Sequence, residues 1–359
     1  MRRYMSDTAL VRRRSVIGGL VGGALLSRGR LISAAMAEGE DTVTTDKARY
    51  AGVGENWKGA AALAGGKGYA QCRLGAMHYR HLRAPSGSDL KPTILLLHQT
   101  PFGLAEWVDI QPILTEMGHD TIAPDNPGYG MSDPPPDSVT IADLADNLVD
   151  LLDHLDVKQV AVAGHHTGAS VAASFASRHA ERTACVVLHG CPVYDEAGRA
   201  FRLAQAAPQI HLREDGSHLA DIFSAIHSRA PFPRGLATAT WGTLGAWWAG
   251  FDTPTYRAVF ANDMAADLDR IRAPVRILTD RGDSLHEQDK QVAARRSDFS
   301  LEVFSDGGSF SLMLDPRKWA ERVAAFAYNA SIHSPKNESH HPGDDKVNIR
   351  IRKDAPGSR

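Results

Sequence analysis

Three polar residues in this sequence stand where folding could bring them together for chemistry. His166 lies between Gly164 and Gly168, directly after an apolar run and before a helical pattern, while Asp283 and Ser309 each follow a later apolar run. The carboxyl ends of parallel strands meet at one edge of a sheet, where binding and active sites form. An imidazole can take up a proton near neutral pH, a hydroxyl can attack as a nucleophile, and a carboxylate can orient either group.

The elements that must position these residues alternate between about residues 69 and 330. Continuous apolar runs, typical of strands buried on both faces, alternate with amphipathic helical patterns. The runs cover residues 93–97, 121–123, 159–163, 184–188, 275–278 and 301–304, and the helical patterns cover 140–155, 167–178 and 316–328. A polar/apolar alternation over residues 71–83, with Gly75 as the turn candidate, precedes them. This order predicts the α/β class, with a doubly wound, mostly parallel sheet covered by helices on both faces.

Length and composition exclude several classes of protein. The 359 residues are 43% apolar and 23% charged, which is ordinary globular usage and excludes disordered, collagen-like and coiled-coil chains. A formal charge of −2 provides no basic surface for nucleic acid. No apolar run approaches the ~18 residues of a membrane span. Three scattered cysteines are too few for a disulfide framework or a cysteine-based zinc site.

The two ends of the chain differ from its centre. Arg12, Arg13 and Arg14, a short apolar stretch over residues 16–26 and Ala35-Met36-Ala37 resemble a twin-arginine export signal cut after Ala37. We therefore expect residues 1–37 to be a signal peptide recognised by the twin-arginine export machinery, and the mature protein to be periplasmic or secreted. Residues 38–68 form an N-terminal extension. Residues 331–359, which have no apolar period, are expected to form a flexible tail.

A helical, aromatic-rich insertion interrupts the alternation at residues 193–268, between core segments 69–192 and 269–330. Three of the six tryptophans of the chain lie in this insertion within eight residues. We expect a cap over an apolar pocket, and hence a small apolar substrate. The residues predicted to line the substrate pocket are Trp107, Trp241, Trp247, Trp248, Phe251 and Phe310.

Five motifs, in this order and spacing, resemble the α/β-hydrolase superfamily and, within it, the branch of epoxide hydrolases, haloalkane dehalogenases and esterases. They are Leu-His-Gln-Thr-Pro at residues 97–101, Asp-Asn-Pro-Gly-Tyr-Gly-Met-Ser-Asp at 125–133, Gly-His-His-Thr-Gly at 164–168, Thr-Asp-Arg-Gly-Asp at 279–283 and Gly-Gly-Ser-Phe at 307–310. The resemblance implies that fold, with residues 164–168 as the sharp turn that carries the nucleophile. It also implies an oxyanion hole formed by the amides of Thr100 and Thr167. We expect no cofactor and no metal.

Two positions depart from the superfamily pattern. The turn carries His166 where relatives have Ser, Asp or Cys, and the late loop carries Ser309 where they have His. A long His on one side and a short Ser on the other span the same gap as the usual pair. We therefore expect His166 to be the general base, Ser309 the nucleophile or the group that positions a water molecule, and Asp283 the acid that orients one of them.

The remaining histidines have structural interpretations. His165 and His98 are expected to support the loops around them, His286 to be a solvated loop residue, and His189 stays open. His78 and His81 lie three apart on a strand and face opposite sides, so they predict no metal pair.

Three functions follow from this pattern. The first is an exported hydrolase that acts on an ester, a lactone or a similar bond. The second is a lyase, an isomerase or a cofactor-free oxygenase that uses His166 as a base. The third is a homologue that binds a ligand without turnover.

Overall fold

The computed structural model describes residues 59–85, 91–205, 211–230, 234–249 and 254–332. The predicted signal peptide, nearly all of the N-terminal extension and residues 333–359 of the predicted tail lie outside the described residues.

The described residues form an eight-stranded sheet in the order β1-β2-β4-β3-β5-β6-β7-β8. The strands are β1 (Lys67–Cys72), β2 (Gly75–Leu82), β3 (Ile94–Leu97), β4 (Thr121–Pro124), β5 (Val160–His165), β6 (Thr183–His189), β7 (Val275–Asp280) and β8 (Ser300–Ser305). Strands β3 to β8 pair in parallel, while β1 pairs antiparallel with β2 and β2 with β4. The predicted mostly parallel sheet is confirmed, and every predicted apolar run coincides with a strand to within one or two residues.

Helices cover both faces of this sheet. They are α1 (Ile110–Glu116), α2 (Ile141–His154), α3 (Thr167–Arg178), α4 (Glu196–Gln205), α5 (Ser217–His227), α6 (Gly235–Trp248), α7 (Pro254–Ala261), α8 (Met264–Arg270), α9 (His286–Arg295), α10 (Ser311–Leu314) and α11 (Pro316–Ile332). Leu148 of α2 and Phe175 of α3 belong to one buried cluster, and Leu114 of α1 and Trp319 of α11 to another. The sheet therefore has one apolar core on each face.

The insertion between β6 and β7 contains helices α4 to α8, and its last part packs on the core. Phe260 of α7 and Met264 and Leu268 of α8 are buried in the cluster that also contains Phe175. Their apolar side chains face α3, so helix α8 belongs to the core layer although the predicted cap runs to residue 268. At the other end of the core, helix α11 continues two residues into the predicted tail.

Two further findings concern membrane-spanning helices and the cysteine thiols. No helix within the described ranges is long and apolar enough to cross a membrane. The three cysteines are buried free thiols, and burial raises the pKa of Cys72 to about 11 and that of Cys185 to about 12. These two thiols therefore stay protonated near neutral pH.

Candidate active site

A sharp bend between strand β5 and helix α3 presents His166. Its backbone has φ 48° and ψ −107°, outside both the strand and the helix regions, so the chain reverses at this residue. The glycines on either side serve close contact: a Cβ on Gly164 would collide with the carbonyl of Gly168, and a Cβ on Gly168 with that of Leu97. The predicted turn is therefore held by packing that only glycine permits, and His166 itself adopts the unusual backbone angles.

Asp283, in the loop after β7, pairs with the His166 side chain and lies near Ser309. Its Oδ2 lies 3.0 Å from Nε2 of His166, and its Oδ1 accepts a 2.7 Å hydrogen bond from the amide of Leu285. Burial favours a higher pKa for Asp283. The hydrogen bond and charge of His166, the Leu285 amide and the Ser309 side chain outweigh burial and hold this pKa well below its usual range. Asp283 is therefore an ionised acceptor near neutral pH.

The ionised carboxylate fixes the tautomer of His166. A carboxylate only accepts hydrogen bonds, so Nε2 of His166 carries the hydrogen, and Nδ1 of the neutral ring keeps a lone pair. Gly190, with φ 73°, packs against the Cδ2–Nε2 edge of the ring, and a Cβ there would collide with it. Nδ1 is on the other side of the ring and has no hydrogen-bond partner among the described residues. The side chain is 18% exposed, so this base faces accessible space.

Ser309 lies near Asp283 and has no direct hydrogen bond to His166. Its side chain helps to lower the pKa of that carboxylate, while within the described part of the chain its hydroxyl forms no hydrogen bond of standard geometry with Asp283 or with His166. Its carbonyl accepts a 3.3 Å hydrogen bond from the side chain of Gln99. Asp283 therefore pairs with His166, and Ser309 lies beside this pair.

The two predicted oxyanion-hole residues lie side by side. Oγ1 of Thr100 is 3.0 Å from Oγ1 of Thr167 and 2.9 Å from the hydroxyl of Tyr129. Thr167 is the first residue of α3, where a helix leaves its amides unpaired. Neither threonine amide has an acceptor among the described residues. The pair is therefore available to an oxygen that becomes negative next to the bend.

Beneath the bend lies a second histidine–acid pair that sequence analysis missed. Nδ1 of His165 is 2.7 Å from Oε1 of Glu106, whose Oε2 accepts a 2.7 Å hydrogen bond from the amide of Gln99. Burial raises the pKa of Glu106 to about 7 and lowers that of His165. His165 thus has the supporting role expected of it. No local pattern marks Glu106, which lies 59 residues from its partner along the chain.

A third pair settles the role of His189. Its Nε2 is 2.8 Å from Oδ2 of Asp280, and its Nδ1 accepts a 3.0 Å hydrogen bond from the indole of Trp319. The ring centroids of His189 and His165 are 5.0 Å apart, and those of His165 and His166 are 4.5 Å apart. Three imidazoles therefore lie in a row, and His166 is the one at the accessible end.

The other supporting histidines are also placed. His98 accepts a 2.9 Å hydrogen bond from the amide of Asn126 and contacts the carbonyl of Gln99, which ties two strand-end loops together as expected. His286 begins α9 and lies 3.0 Å from the hydroxyl of Thr279, so it is a helix residue with a partner, in contrast to the expected solvated loop position.

The predicted pocket residues separate into three groups. Trp107 lies in the core, fully buried beside Trp319 with ring centroids 5.2 Å apart, so it is not a pocket residue. Phe310 is buried against Phe102, which follows the Thr100-Pro101 segment.

The remaining residues belong to the insertion. Trp241 and Trp248 line a cavity of about 500 Å³ that none of His166, Asp283 and Ser309 lines, Trp247 is half exposed beside Trp248, and Phe251 lies outside the described residues.

Among the described residues, no group of three or more His, Cys, Asp or Glu side chains is arranged to hold a metal ion. The site offers a lone pair on His166, a carboxylate that orients it, a nearby serine hydroxyl and two free amides. Such a set can remove a proton from a bound molecule or from water and stabilise a developing oxyanion.

Comparison with known proteins identifies the fold. The family model for the alpha/beta hydrolase fold matches residues 92–213. Solved structures of a hydrolase from Pseudomonas aeruginosa PA01 and of the enol-lactonase from Burkholderia xenovorans LB400 superpose with TM-scores of 0.60 and 0.59. They are 22% and 18% identical in sequence, and the matches cover 73% and 72% of this chain and 98% and 99% of theirs. The predicted fold and superfamily resemblance are confirmed.

A curated relative shares a shorter segment. Epoxide hydrolase 2 of Siraitia grosvenorii is 37% identical over 98 residues, which is 27% of this chain and 31% of that protein. The chain therefore spans less than a third of the length of this plant relative.

Proposed function

We propose that this chain, a member of the α/β-hydrolase superfamily, is a hydrolase that cleaves an ester, a lactone or a similar bond in a small apolar substrate. One observation carries the proposal: Asp283 holds Nε2 of His166 and so leaves Nδ1 as a free base beside two unpaired amides. Relatives named as hydrolases, among them the epoxide hydrolase and the enol-lactonase, support hydrolysis as the class of reaction.

In this mechanism His166 activates a water molecule. The water oxygen bonds to the carbonyl carbon while Nδ1 of His166 takes its proton, and the carbonyl oxygen becomes an anion held by the amides of Thr100 and Thr167. The tetrahedral intermediate then collapses. The bond to the leaving oxygen breaks, and that oxygen takes the proton back from His166. The products are a carboxylic acid and an alcohol, and Asp283 stabilises the imidazolium between the two steps.

Ser309 is assigned a positioning role in this scheme. A nucleophilic serine needs its hydroxyl within hydrogen-bond reach of the base, about 2.6–3.2 Å. Among the described residues the hydroxyl of Ser309 has no hydrogen bond to His166, and the backbone carbonyl of Ser309 is held by Gln99. Its side chain helps to keep Asp283 ionised, because it lowers the pKa of that carboxylate. Of the two roles that the sequence left open for Ser309, nucleophile or the group that positions a water molecule, the lack of a contact with the base favours the second.

Hydrolysis of short p-nitrophenyl esters by the full chain tests the proposal. We expect His166→Ala to lower kcat/KM by about 10²–10⁴-fold, since that is the usual contribution of a general base, and Ser309→Ala to lower it less than tenfold. Matched controls are His154→Ala, at the end of α2, and Ser228→Ala, just after α5; neither residue contacts the site. Both controls should retain full activity.

Two results would contradict the proposed mechanism. An acyl group on Ser309, trapped by acid quench and mass spectrometry, or stoichiometric fluorophosphonate labelling of Ser309 would show covalent catalysis. An inactive wild-type chain on all esters and lactones tried would remove hydrolysis itself. Exchange of a substrate C–H for deuterium in D₂O, lost in His166→Ala, would then indicate the lyase or isomerase alternative. A chain that binds a ligand without either reaction would indicate the binding homologue.

We also propose that the protein is exported, on the basis of the arginine cluster and the Ala35-Met36-Ala37 segment. The mature chain should begin at Glu38 and occur in the periplasmic or secreted fraction. Replacing Arg12, Arg13 and Arg14 by lysine keeps the charge, yet should leave the precursor in the cytoplasm. A mature N-terminus elsewhere, or unchanged export of the lysine variant, would contradict this proposal.

A further inference from the structure

A cavity of about 500 Å³ lies apart from the residues assigned to hydrolysis. Five segments enclose it: the turn that ends at Leu63, the β1–β2 hairpin, residues 102–105, the loop after β4 and helix α6. None of His166, Asp283, Ser309 and the two oxyanion-hole threonines lines it. The volume is in the range of sites for small organic molecules.

The walls and rim of this cavity are largely apolar and aromatic. Phe102 and Trp241 contribute to its walls, and Tyr69, Met131 and Trp248 line it while remaining about half exposed to solvent. Large apolar side chains exposed together around one opening are typical of a ligand site. The aromatic rings favour a flat, apolar ligand.

One polar side chain among the lining residues is nearly buried and has a free nitrogen. His78 is 9% exposed, and its Nδ1 lies 2.7 Å from Oδ2 of Asp125. The same carboxylate accepts hydrogen bonds from the amides of Leu104 and Met131, at 2.6 and 3.0 Å. Because Asp125 only accepts, Nδ1 of His78 donates, and Nε2 of the neutral ring is an acceptor. Nε2 has no partner among the described residues and is not sealed from the surface.

We propose that this cavity is a second binding site, which takes a small aromatic ligand that bears a hydroxyl group. The hydroxyl donates to Nε2 of His78, and the ring lies between Phe102, Trp241 and Trp248. An ether oxygen has no hydrogen to donate, so the site discriminates against ethers. The site thus differs from the hydrolytic one in its residues and in its preferred ligand.

Calorimetric titration of the full chain with 2-naphthol and with 2-methoxynaphthalene tests this site. The two probes share one ring system, and only 2-naphthol can donate a hydrogen bond. We expect 2-naphthol to bind roughly three- to tenfold more tightly, as for one neutral hydrogen bond. In His78→Phe the two probes should bind equally. Trp248→Ala, a change at a half-exposed position, should weaken both probes and keep their ratio.

His166→Ala separates this site from the hydrolytic one. Binding of 2-naphthol to this variant should stay within twofold of wild type, whatever happens to ester hydrolysis. Three results would overturn the proposal: no binding of 2-naphthol, an equal preference for the two probes in wild type, or loss of binding in His166→Ala. If His78→Phe fails to fold, an unchanged probe ratio in His78→Gln, whose amide can still accept, supports the proposal, and a lost ratio in Trp248→Ala contradicts it.

Discussion

His165 and His166 are consecutive, and each is paired with an acid, yet they belong to different regions of the molecule. His165 ends strand β5 in the core with Glu106, whereas His166 leaves the strand at φ 48° and meets Asp283 at the accessible edge. The pKa values of the two acids shift in opposite directions: burial raises that of Glu106, whereas for Asp283 the hydrogen bonds and the charge of His166 together outweigh burial and lower it. The comparison shows that solvation and donors, and not the pairing itself, separate a structural pair from a reactive one.

Replacing Asp283 by asparagine should distinguish the reactive pair from the structural pair most strongly, through a loss of activity. In Asp283→Asn the amide can donate to Nε2 of His166, which moves the ring hydrogen to Nδ1 and removes the base. We expect kcat/KM for p-nitrophenyl esters to fall by about 10²–10⁴-fold, with little change in the free energy of unfolding. Near-normal activity in Asp283→Asn would mean that the tautomer of His166 has no role.

Glu106 should matter for stability. Glu106→Ala leaves the buried Nδ1 of His165 and the amide of Gln99 unpaired, and should lower the free energy of unfolding by about 2–5 kcal/mol. Glu106→Gln, which can accept from Gln99 and donate to His165, should cost about 1 kcal/mol and retain activity within tenfold. Urea denaturation measures both. Equal losses in the Ala and Gln variants would show that the hydrogen bonds are not the cause.

Gly190 provides a smaller test on the reactive side. A methyl group in Gly190→Ala would collide with the His166 ring, and φ 73° adds a cost of about 1–2 kcal/mol for any L-residue. Gly216→Ala is the matched control, because it has φ 74° and nothing within 4 Å of the added carbon. Both variants should lose similar stability, while only Gly190→Ala should lose activity, by about tenfold. A similar loss of activity in Gly216→Ala would point to general destabilisation.

The contributions of Glu106 and Asp283 to the free energy of unfolding change with pH in opposite directions. The pKa of Glu106 is raised from 4.5 to about 7 in the folded state, so the native state binds the extra proton in this window. Its contribution therefore falls as pH rises from about 4.5 to about 7, by at most about 1.4 kcal/mol per pH unit. The pKa of Asp283 is lowered from 3.8, so its contribution is present above pH 3.8 and is lost on further acidification.

Urea denaturation between pH 3 and pH 8 measures how the free energy of unfolding depends on pH and can assign each change to Glu106 or to Asp283. Glu106→Gln should remove the decline above pH 4.5, and Asp283→Asn should remove part of the loss below pH 3.8. A wild-type curve that is unchanged by Glu106→Gln would contradict the raised pKa of Glu106.

The elements of the sheet were predictable because burial on both faces demands uninterrupted apolar runs. His166 and Asp283 could be found for a related reason: parallel strands bring their carboxyl ends to one edge. Glu106 could not be found, since its contact with His165 depends on the path of a loop. The hydroxyl of Ser309 was placed opposite His166 by reach alone, and whether it meets the base depends on a rotamer.

Aromatic residues were harder to place than charged ones. Trp107 follows a strand-end loop, and nothing in its neighbourhood distinguishes a core position from a pocket position; packing against Trp319 decides it. Trp241 and Trp248 do face a cavity, but one that Phe310 does not line. Which side chains of a helical insertion face a cavity depends on how its helices pack on the core. Local sequence does not encode that packing.

The unusual backbone angles of His166 have a consequence for which residue selection favours at this position. An L-residue at φ 48° and ψ −107° is held there by its neighbours at a cost of order 1–3 kcal/mol, whereas glycine adopts those angles more easily. Screening for heat resistance alone would accordingly reward glycine at this position and discard turnover. Stability favours glycine and activity requires histidine at this single residue. Histidine will therefore persist there only while the reaction itself is under selection.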